Sequence, residues 1–183
     1  MSRIPTPATV ADAPAATHPL LNAVNAQLGV VPNLFRIVAN SPAVLEAYLG
    51  FSGALGKGKL SAATRERISL AVAEVNGCDY CLSAHTYLGR NLAKLDDAEI
   101  TANRNGASND VKADAAVRFA AKVARDRAAV TDADVEAVKQ AGYSDAEIVE
   151  IIGNVALNVF TNYINEALKT EVDFPHVAAR KAA

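Results

Sequence analysis

The chain has 183 residues, of which 51% are hydrophobic, 21% are charged and 5% are aromatic, and its formal net charge is −2. Such a length lets one domain bury a core without the support of disulfides or metals, and the scattered lysines and arginines lack the clustering that binding to nucleic acid requires. Because no apolar run approaches the roughly 18 to 20 residues that span a bilayer, and because the first residues lack the pattern of a secretory signal, we expect a cytoplasmic protein without a membrane partner.

The N-terminal region is rich in proline. Residues 2–19 contain four of the seven prolines, set among alanine and threonine. This composition cannot cover a hydrophobic core, so we predict an extended or disordered arm over residues 1–16. An arm that becomes ordered on another subunit is the alternative. Residues 17–183 are predicted to form one domain.

The rest of the chain predicts helices and requires no strand, because valine and isoleucine recur at helical spacing. The helix after Ser61 is apolar on nearly every side, and we therefore expect it to be central. Gly77 ends that helix, so a new one can begin at Cys78 and run to about Leu92. The predicted fold is an all-α, compact multi-helix domain. Helix start signals lie at Pro19, Pro32, Pro42, Ser61, Thr131 and Ser144.

A short internal repeat is compatible with the duplication of a helical unit. Segments 95–100 and 143–148 share four identical residues, and each follows one helix and opens another. N-capping preferences alone also produce such matches, so duplication and shared capping both remain open.

The two cysteines, Cys78 and Cys81, are three residues apart. A disulfide that closes so short a loop stabilises a fold by only about 2 kcal/mol, against roughly 4.7 kcal/mol for a loop of 100 residues. Stabilisation is therefore a poor explanation for the pair. In a protein without a secretory signal, Cys-x-x-Cys is more often a redox pair or half of a metal site.

A histidine shares a helix face with the two thiols. At 100 degrees per residue, Cys78, Cys81 and His85 fall within an arc of some 60 degrees. Cys78 lies at the first turn, where the helix dipole and unpaired N–H groups favour a thiolate, and His85 lies one turn beyond Cys81 and can exchange a proton with it. The arrangement predicts an activated dithiol.

A carboxylate is needed to orient such a histidine, and two candidates precede the cysteines. Glu66 falls on the side of its helix that we expect to be buried. Glu74 aligns with Arg67 and can be its surface partner. Periodicity favours Glu66 but does not exclude Glu74.

Several motifs together resemble the alkyl hydroperoxide reductase D-like, or carboxymuconolactone decarboxylase-like, superfamily. The most diagnostic part is a glutamate, eleven residues, Cys-x-x-Cys, three residues and a histidine. The resemblance extends over roughly residues 28–175 and is closest to the uncharacterised peroxidase-related branch. The matching segments are Leu60–Glu66, Ala71–Ala73, Asn76–Cys81 and Ala84–His85, with Val31–Phe35 upstream and Asn162–Asn165 downstream.

This resemblance implies a thiol-dependent peroxidase or disulfide oxidoreductase that reduces alkyl hydroperoxides, uses an external thiol or dithiol as reductant and needs no cofactor. By position, Cys81 corresponds to the peroxide-attacking cysteine, Cys78 to the resolving cysteine, and His85 with Glu66 to the proton relay. The resemblance also implies a homo-oligomer, either a trimer or a hexamer. We expect Cys78 to be the more exposed sulfur and the one that the reductant attacks.

Tyr80 marks a departure from the family pattern. The characterised antioxidant member has a histidine between its cysteines, whereas this chain has Tyr80. Its place within the motif makes Tyr80 a candidate for the substrate pocket, and a packing residue with a satisfied hydroxyl is the alternative, which is the more common role of a tyrosine.

Other functions remain open on the same residues. Two thiolates and one imidazole are three good zinc ligands, but neither His18 nor His176 has the spacing of a fourth, so we expect no metal site. A redox sensor or interaction protein without rapid turnover is the main alternative. A carboxymuconolactone decarboxylase-like activity is another, although those enzymes lack the cysteine pair.

A mean hydropathy of +0.11 favours association with further copies of the chain.

Overall fold

The computed structural model describes residues 1–180, which form nine α-helices and two short 3-10 turns and contain no strand within that range. The predicted all-α class is confirmed. The last three residues of the predicted domain, 181–183, lie outside the described residues. The helices are α1 (His18–Leu28), α2 (Asn33–Val38), α3 (Pro42–Gly56), α4 (Ala62–Val75), α5 (Asp79–Asn91), α6 (Asp97–Arg104), α7 (Val111–Arg125), α8 (Asp132–Gln140) and α9 (Asp145–Leu168).

Helix starts follow the capping signals in the sequence. Ser61 Oγ accepts the N–H of Thr64 at the start of α4, and Ser144 forms a capping box with Glu147 at the start of α9. The Asp96 side chain accepts the N–H of Glu99 at the start of α6. Segments 95–100 and 143–148 thus both begin a helix, and capping chemistry explains their similarity. Duplication of a helical unit remains a prediction.

Helix α4 is the centre of the fold, as its apolar composition predicts. It packs against α5, α6, α7 and α9. Leu70 belongs to a core shared with α1, α2, α3 and α5, whereas Ile68 and Val72 belong to a second core shared with α7, α8 and α9. All three side chains are fully buried. Residues of α4 therefore have fixed positions relative to α5, which carries the cysteine motif.

Two ion pairs join α4 to α6. Arg67 Nε lies 2.6 Å from Glu99 Oε1, and Arg104 Nε lies 2.6 Å from Glu74 Oε2. Burial raises the pKa of Glu99, but hydrogen bonds from four neighbouring groups outweigh that effect and hold the pKa at about 2. Glu74 is not the surface partner of Arg67 that periodicity allowed, because each of the two pairs with a residue of α6 instead.

Residues 1–16 lie against the helices in an extended path interrupted by short 3-10 turns. The backbone N–H of Arg3 donates to the carbonyl of Leu168 at 2.7 Å, and Asn40 Nδ2 donates to the carbonyl of Pro5 at 2.8 Å. Ala13 is buried in the core shared with α1. The division into an arm and a single domain remains a prediction. Within the described part of the chain, none of the helices is long and apolar enough to cross a membrane.

Candidate active site

The dithiol lies at the junction of α4 and α5. Gly77, with a φ of +67°, adopts the left-handed conformation that ends α4 and lets α5 begin directly afterwards. Cys78 is the N-cap of α5, and its Sγ accepts the N–H of Cys81 at 3.3 Å, the role that an oxygen usually takes. Cys78 and Cys81 are joined as a disulfide, with their Cα atoms 5.3 Å apart.

Both sulfur-bearing side chains are buried. Cys78 is 0% exposed and Cys81 is 3% exposed. The expectation that Cys78 is the more exposed cysteine is therefore wrong. The physical reason is that Cys78 lies between the end of α4 and the start of α5 and belongs to a core that also contains residues of α1, α2 and α3.

The C-terminal segment, residues 174–180, lies along the first half of α5. Ser83 Oγ accepts the N–H of Val177 at 2.9 Å, and Asp79 Oδ1 accepts the N–H of Ala179 at 2.7 Å. Phe174 and Val177 pack against the core that contains both cysteines. Because a thiol must reach a sulfur atom to reduce a disulfide, we expect a segment that lies against this part of α5 to restrict the approach of a reductant.

Replacing Ser83 by Ala is expected to accelerate reduction of the disulfide by dithiothreitol about fivefold. The substitution removes the hydrogen bonds between Ser83 Oγ and the backbone of Val177, of which the one from the N–H is the shorter, and a loss of about 1 kcal/mol corresponds to that change in the open population. Stopped-flow reduction followed by thiol labelling measures the rate. Ser69→Ala is the matched control, since Ser69 is also a buried serine that donates to the carbonyl four residues earlier, on α4. Equal rates in the two variants would contradict the role of the segment.

Glu66 and His85 form a pair beside the dithiol. Glu66 Oε2 on α4 lies 2.9 Å from His85 Nδ1 on α5, and each side chain is 21% exposed. His85 is one helical turn beyond Cys81, so the two side chains share a face of α5. Tyr48 of α3 lies nearby, and its pKa is raised to about 12 by burial and by the charge of Glu66. The structure thus brings Cys81, His85 and Glu66 to one face where α4 meets α5.

Tyr80 points away from this pair, towards α2. Its hydroxyl oxygen accepts the N–H of Leu34 at 3.0 Å, and its ring meets Phe174 edge-on with centroids 5.9 Å apart. Burial raises the pKa of Tyr80, so the hydroxyl stays protonated. These contacts account for Tyr80 as a packing residue between α2, α5 and the C-terminal segment. The pocket assignment remains a prediction.

The segment Asn162–Asn165 of α9 belongs to the resemblance and could close the pocket, but the sequence did not predict its contacts with the cysteine motif. Asn165 Nδ2 lies 3.2 Å from Cys81 Sγ, and Asn162 Oδ1 accepts a hydrogen bond from Asn76 Nδ2 at 2.8 Å, two residues before Cys78. A signal was present in the sequence, because asparagine repeats at three- or four-residue spacing along an otherwise apolar helix face. The buried members of this stripe are Asn154, Asn158, Asn162 and Asn165.

The other two histidines lie apart from the Glu66–His85 pair. His18 Nε2 bonds to the carbonyl oxygen of Ala13 at 2.9 Å, and His176 lies 3.8 Å from Asp79 Oδ2. Within residues 1–180, no group of three or more His, Cys, Asp or Glu side chains is arranged to hold a metal ion. Surface cavities of about 290 and 520 Å³ are lined by other residues than those of the dithiol and the pair.

The chain is similar to proteins of known family and structure. Residues 42–126, which include Glu66 and both cysteines but not Asn165, match the carboxymuconolactone decarboxylase family. An uncharacterized peroxidase-related protein from Ralstonia eutropha JMP134, described as an alkylhydroperoxidase AhpD core, is 26% identical, with a TM-score of 0.84 over 94% of this chain and 92% of that one. No curated protein sequence matched the chain.

Two further crystal structures cover nearly the whole chain. An uncharacterized peroxidase-related protein from Silicibacter sp. TM1040 is 27% identical, with a TM-score of 0.80 over 93% of this chain and 91% of that one. The debrominase Bmp8, in complex with 2,3,4-tribromopyrrole, is 20% identical, with a TM-score of 0.79 over 94% of each chain. At this identity, the likeness to Bmp8 shows the fold alone.

Proposed function

Because the chain belongs to the superfamily of AhpD-like and carboxymuconolactone decarboxylase-like proteins, we propose that it is a thiol-dependent peroxidase that reduces alkyl hydroperoxides or hydrogen peroxide. One observation carries the proposal: a Cys-x-x-Cys disulfide is followed on the same helix by His85, whose ring nitrogen lies 2.9 Å from the carboxylate of Glu66. A thiol, a base and a group that orients the base are the parts of an activated nucleophile.

In the first step, His85 takes the proton of the Cys81 thiol, and Glu66 orients the imidazole and stabilises the imidazolium that forms. The thiolate attacks one oxygen of the hydroperoxide, so that an S–O bond forms and the O–O bond breaks. The leaving alkoxide receives the proton from His85 and departs as an alcohol. Cys81 is left as a sulfenic acid, having supplied two electrons. Cys81 is favoured over Cys78 because it shares the helix of His85 at one turn's distance.

In the second step, the Cys78 sulfur attacks the Cys81 sulfenic acid. A disulfide forms and the hydroxyl leaves as water after taking up the Cys78 proton. The product is the bonded pair that the structure contains. An external dithiol then reduces this disulfide through a mixed disulfide and is itself oxidised, which regenerates both thiols.

The proposal extends to the location of the protein and to its association with further copies of the chain. A cytoplasmic location would supply thiol reductants continuously. Association with further copies of the chain is supported by exposed apolar side chains on α3 and α9, which a lone subunit would leave in water, and a trimer or hexamer is what the family resemblance implies. The largest of these are Phe51, Val149, Ile152 and Tyr163.

A redox sensor is the second candidate, and the burial of the sulfurs favours it. With Cys78 at 0% and Cys81 at 3% exposure, a bulky reductant reaches the disulfide slowly unless the C-terminal segment moves. A sensor would be oxidised once and then keep its disulfide, whereas an enzyme would be reduced and oxidised repeatedly.

Steady-state consumption of tert-butyl hydroperoxide and of hydrogen peroxide, with dithiothreitol as reductant, tests the proposal. We expect many equivalents of peroxide to be consumed per chain, at a rate well above that of dithiothreitol alone. The double variant Cys78→Ser/Cys81→Ser is the control and should not exceed the rate of dithiothreitol alone. Consumption of a single equivalent, with formation of the Cys78–Cys81 disulfide, would replace the enzyme by the sensor.

A further inference from the structure

We propose that Asn165 is a further catalytic residue, whose side-chain amide stabilises the thiolate of Cys81 by a hydrogen bond to its sulfur. The inference concerns the nucleophile of the proposed function and rests on that function for its catalytic meaning. The hydrogen bond itself, however, can be tested on the reduced protein without any peroxide.

The contact between the two residues is buried and specific. Asn165 is 2% exposed and Cys81 is 3% exposed, and Asn165 Nδ2 lies 3.2 Å from Cys81 Sγ. The two residues are 84 positions apart in the chain, so the contact depends on the packing of α9 against α5. An amide N–H that points at a reactive sulfur is placed to interact with the charge that develops there.

Packing alone does not explain an asparagine at this position. Asn165 Oδ1 is buried and has no hydrogen-bond partner among the described residues. A buried polar atom without a partner costs about 1 to 3 kcal/mol, so a leucine of similar volume would suit a purely structural role better. The asparagine is therefore explained by its Nδ2, which donates to the sulfur of Cys81.

The strength of that hydrogen bond depends on the redox state of Cys81. The sulfur of a disulfide is a weak, uncharged acceptor, whereas a thiolate accepts a charge-assisted bond that is roughly twice as strong. The low dielectric of a buried site strengthens the bond further. The amide consequently favours the reduced, ionised form of Cys81, which is the form that attacks a peroxide.

A second asparagine fixes the other end of the motif. Asn162, one turn earlier on α9, is fully buried and holds Asn76 through its Oδ1. Asn76 leads through Gly77 to Cys78, so α9 contacts the cysteine motif on both sides of the disulfide. This attachment positions α9, and with it the amide of Asn165, relative to Cys81.

The test measures the pH dependence of Cys81 alkylation by iodoacetamide in the reduced protein, with Cys78→Ser present so that one thiol reacts. Asn165→Leu is expected to move the midpoint of the profile upward by about 1 to 2 pH units, which corresponds to loss of a hydrogen bond to a charged group. Asn158→Leu is the matched control, because Asn158 is also buried on α9 but donates only to the carbonyl of Asn154. Its midpoint should equal that of the parent.

Asn165→Ala provides a second variant in case leucine prevents folding, and it should shift the midpoint in the same direction. A midpoint that is unchanged or lowered in both folded variants would overturn the inference. A shifted midpoint in a protein that fails to consume peroxide would instead overturn the proposed function and leave the role of Asn165 as a thiolate-stabilising residue intact.

Discussion

Cys81→Ser is expected to abolish peroxide turnover, with a loss of at least about 10³-fold in the rate at saturating dithiol, because a serine hydroxyl cannot replace a thiolate as the nucleophile. Cys78→Ser should behave differently. It keeps the nucleophile and loses only the group that closes the disulfide, so in the absence of dithiol it should consume one equivalent of peroxide rapidly and then accumulate a sulfenic acid at Cys81. Rapid-quench peroxide assays, with dimedone trapping and mass spectrometry, measure both outcomes.

The structure also allows the opposite assignment, in which Cys78 is the nucleophile. Cys78 Sγ accepts a backbone N–H at the N-terminus of α5, an environment that also stabilises a thiolate. If the Cys81→Ser variant still consumed one equivalent of peroxide and dimedone labelled a sulfenic acid at Cys78, the roles of the two cysteines would be reversed. The position of Cys81 one turn before His85 on α5 argues for the assignment proposed here, since His85 is placed to take its proton.

The helices could be predicted from the sequence because their signals are local. Ser61 and Ser144 cap helices through bonds to residues three positions later, and Gly77 ends α4 through its own backbone conformation. The central position of α4 followed from its composition, because a helix that is apolar all round must be surrounded by other helices. Such features depend on neighbours within one or two helical turns.

The features that were missed depend on contacts between distant segments. Asn165 meets Cys81 across 84 positions, and Val177 donates to Ser83 across 94 positions from a segment without helical periodicity. The partner of Glu74 could not be foreseen either, since Arg104 reaches it from α6. Periodicity assigns a residue to a face of its own helix, but it does not say which element covers that face.

Glu66→Gln is expected to lower peroxide turnover by about 10² to 10³-fold, within the range of general acid-base catalysis. Glutamine keeps the size of Glu66 and a hydrogen bond to His85, but it lacks the charge that stabilises the imidazolium. His85→Gln should cost at least as much, and the double variant little more than His85→Gln alone, because the two residues act as a unit. Measurement of kcat at saturating dithiol gives all three values.

Glu74→Gln is the matched control, because both glutamates lie on α4 and both were candidates for the carboxylate that orients His85. The structure commits Glu74 to Arg104 and to the backbone N–H of Arg180, so its replacement should lower the free energy of unfolding and leave kcat close to that of the parent. A fall in kcat for Glu74→Gln as large as that for Glu66→Gln would refute the relay, since a charge committed to α6 and the C-terminal segment has no contact with the imidazole. If kcat falls only in Glu66→Gln and His85→Gln, the result supports a role in turnover for the 2.9 Å contact between the two side chains.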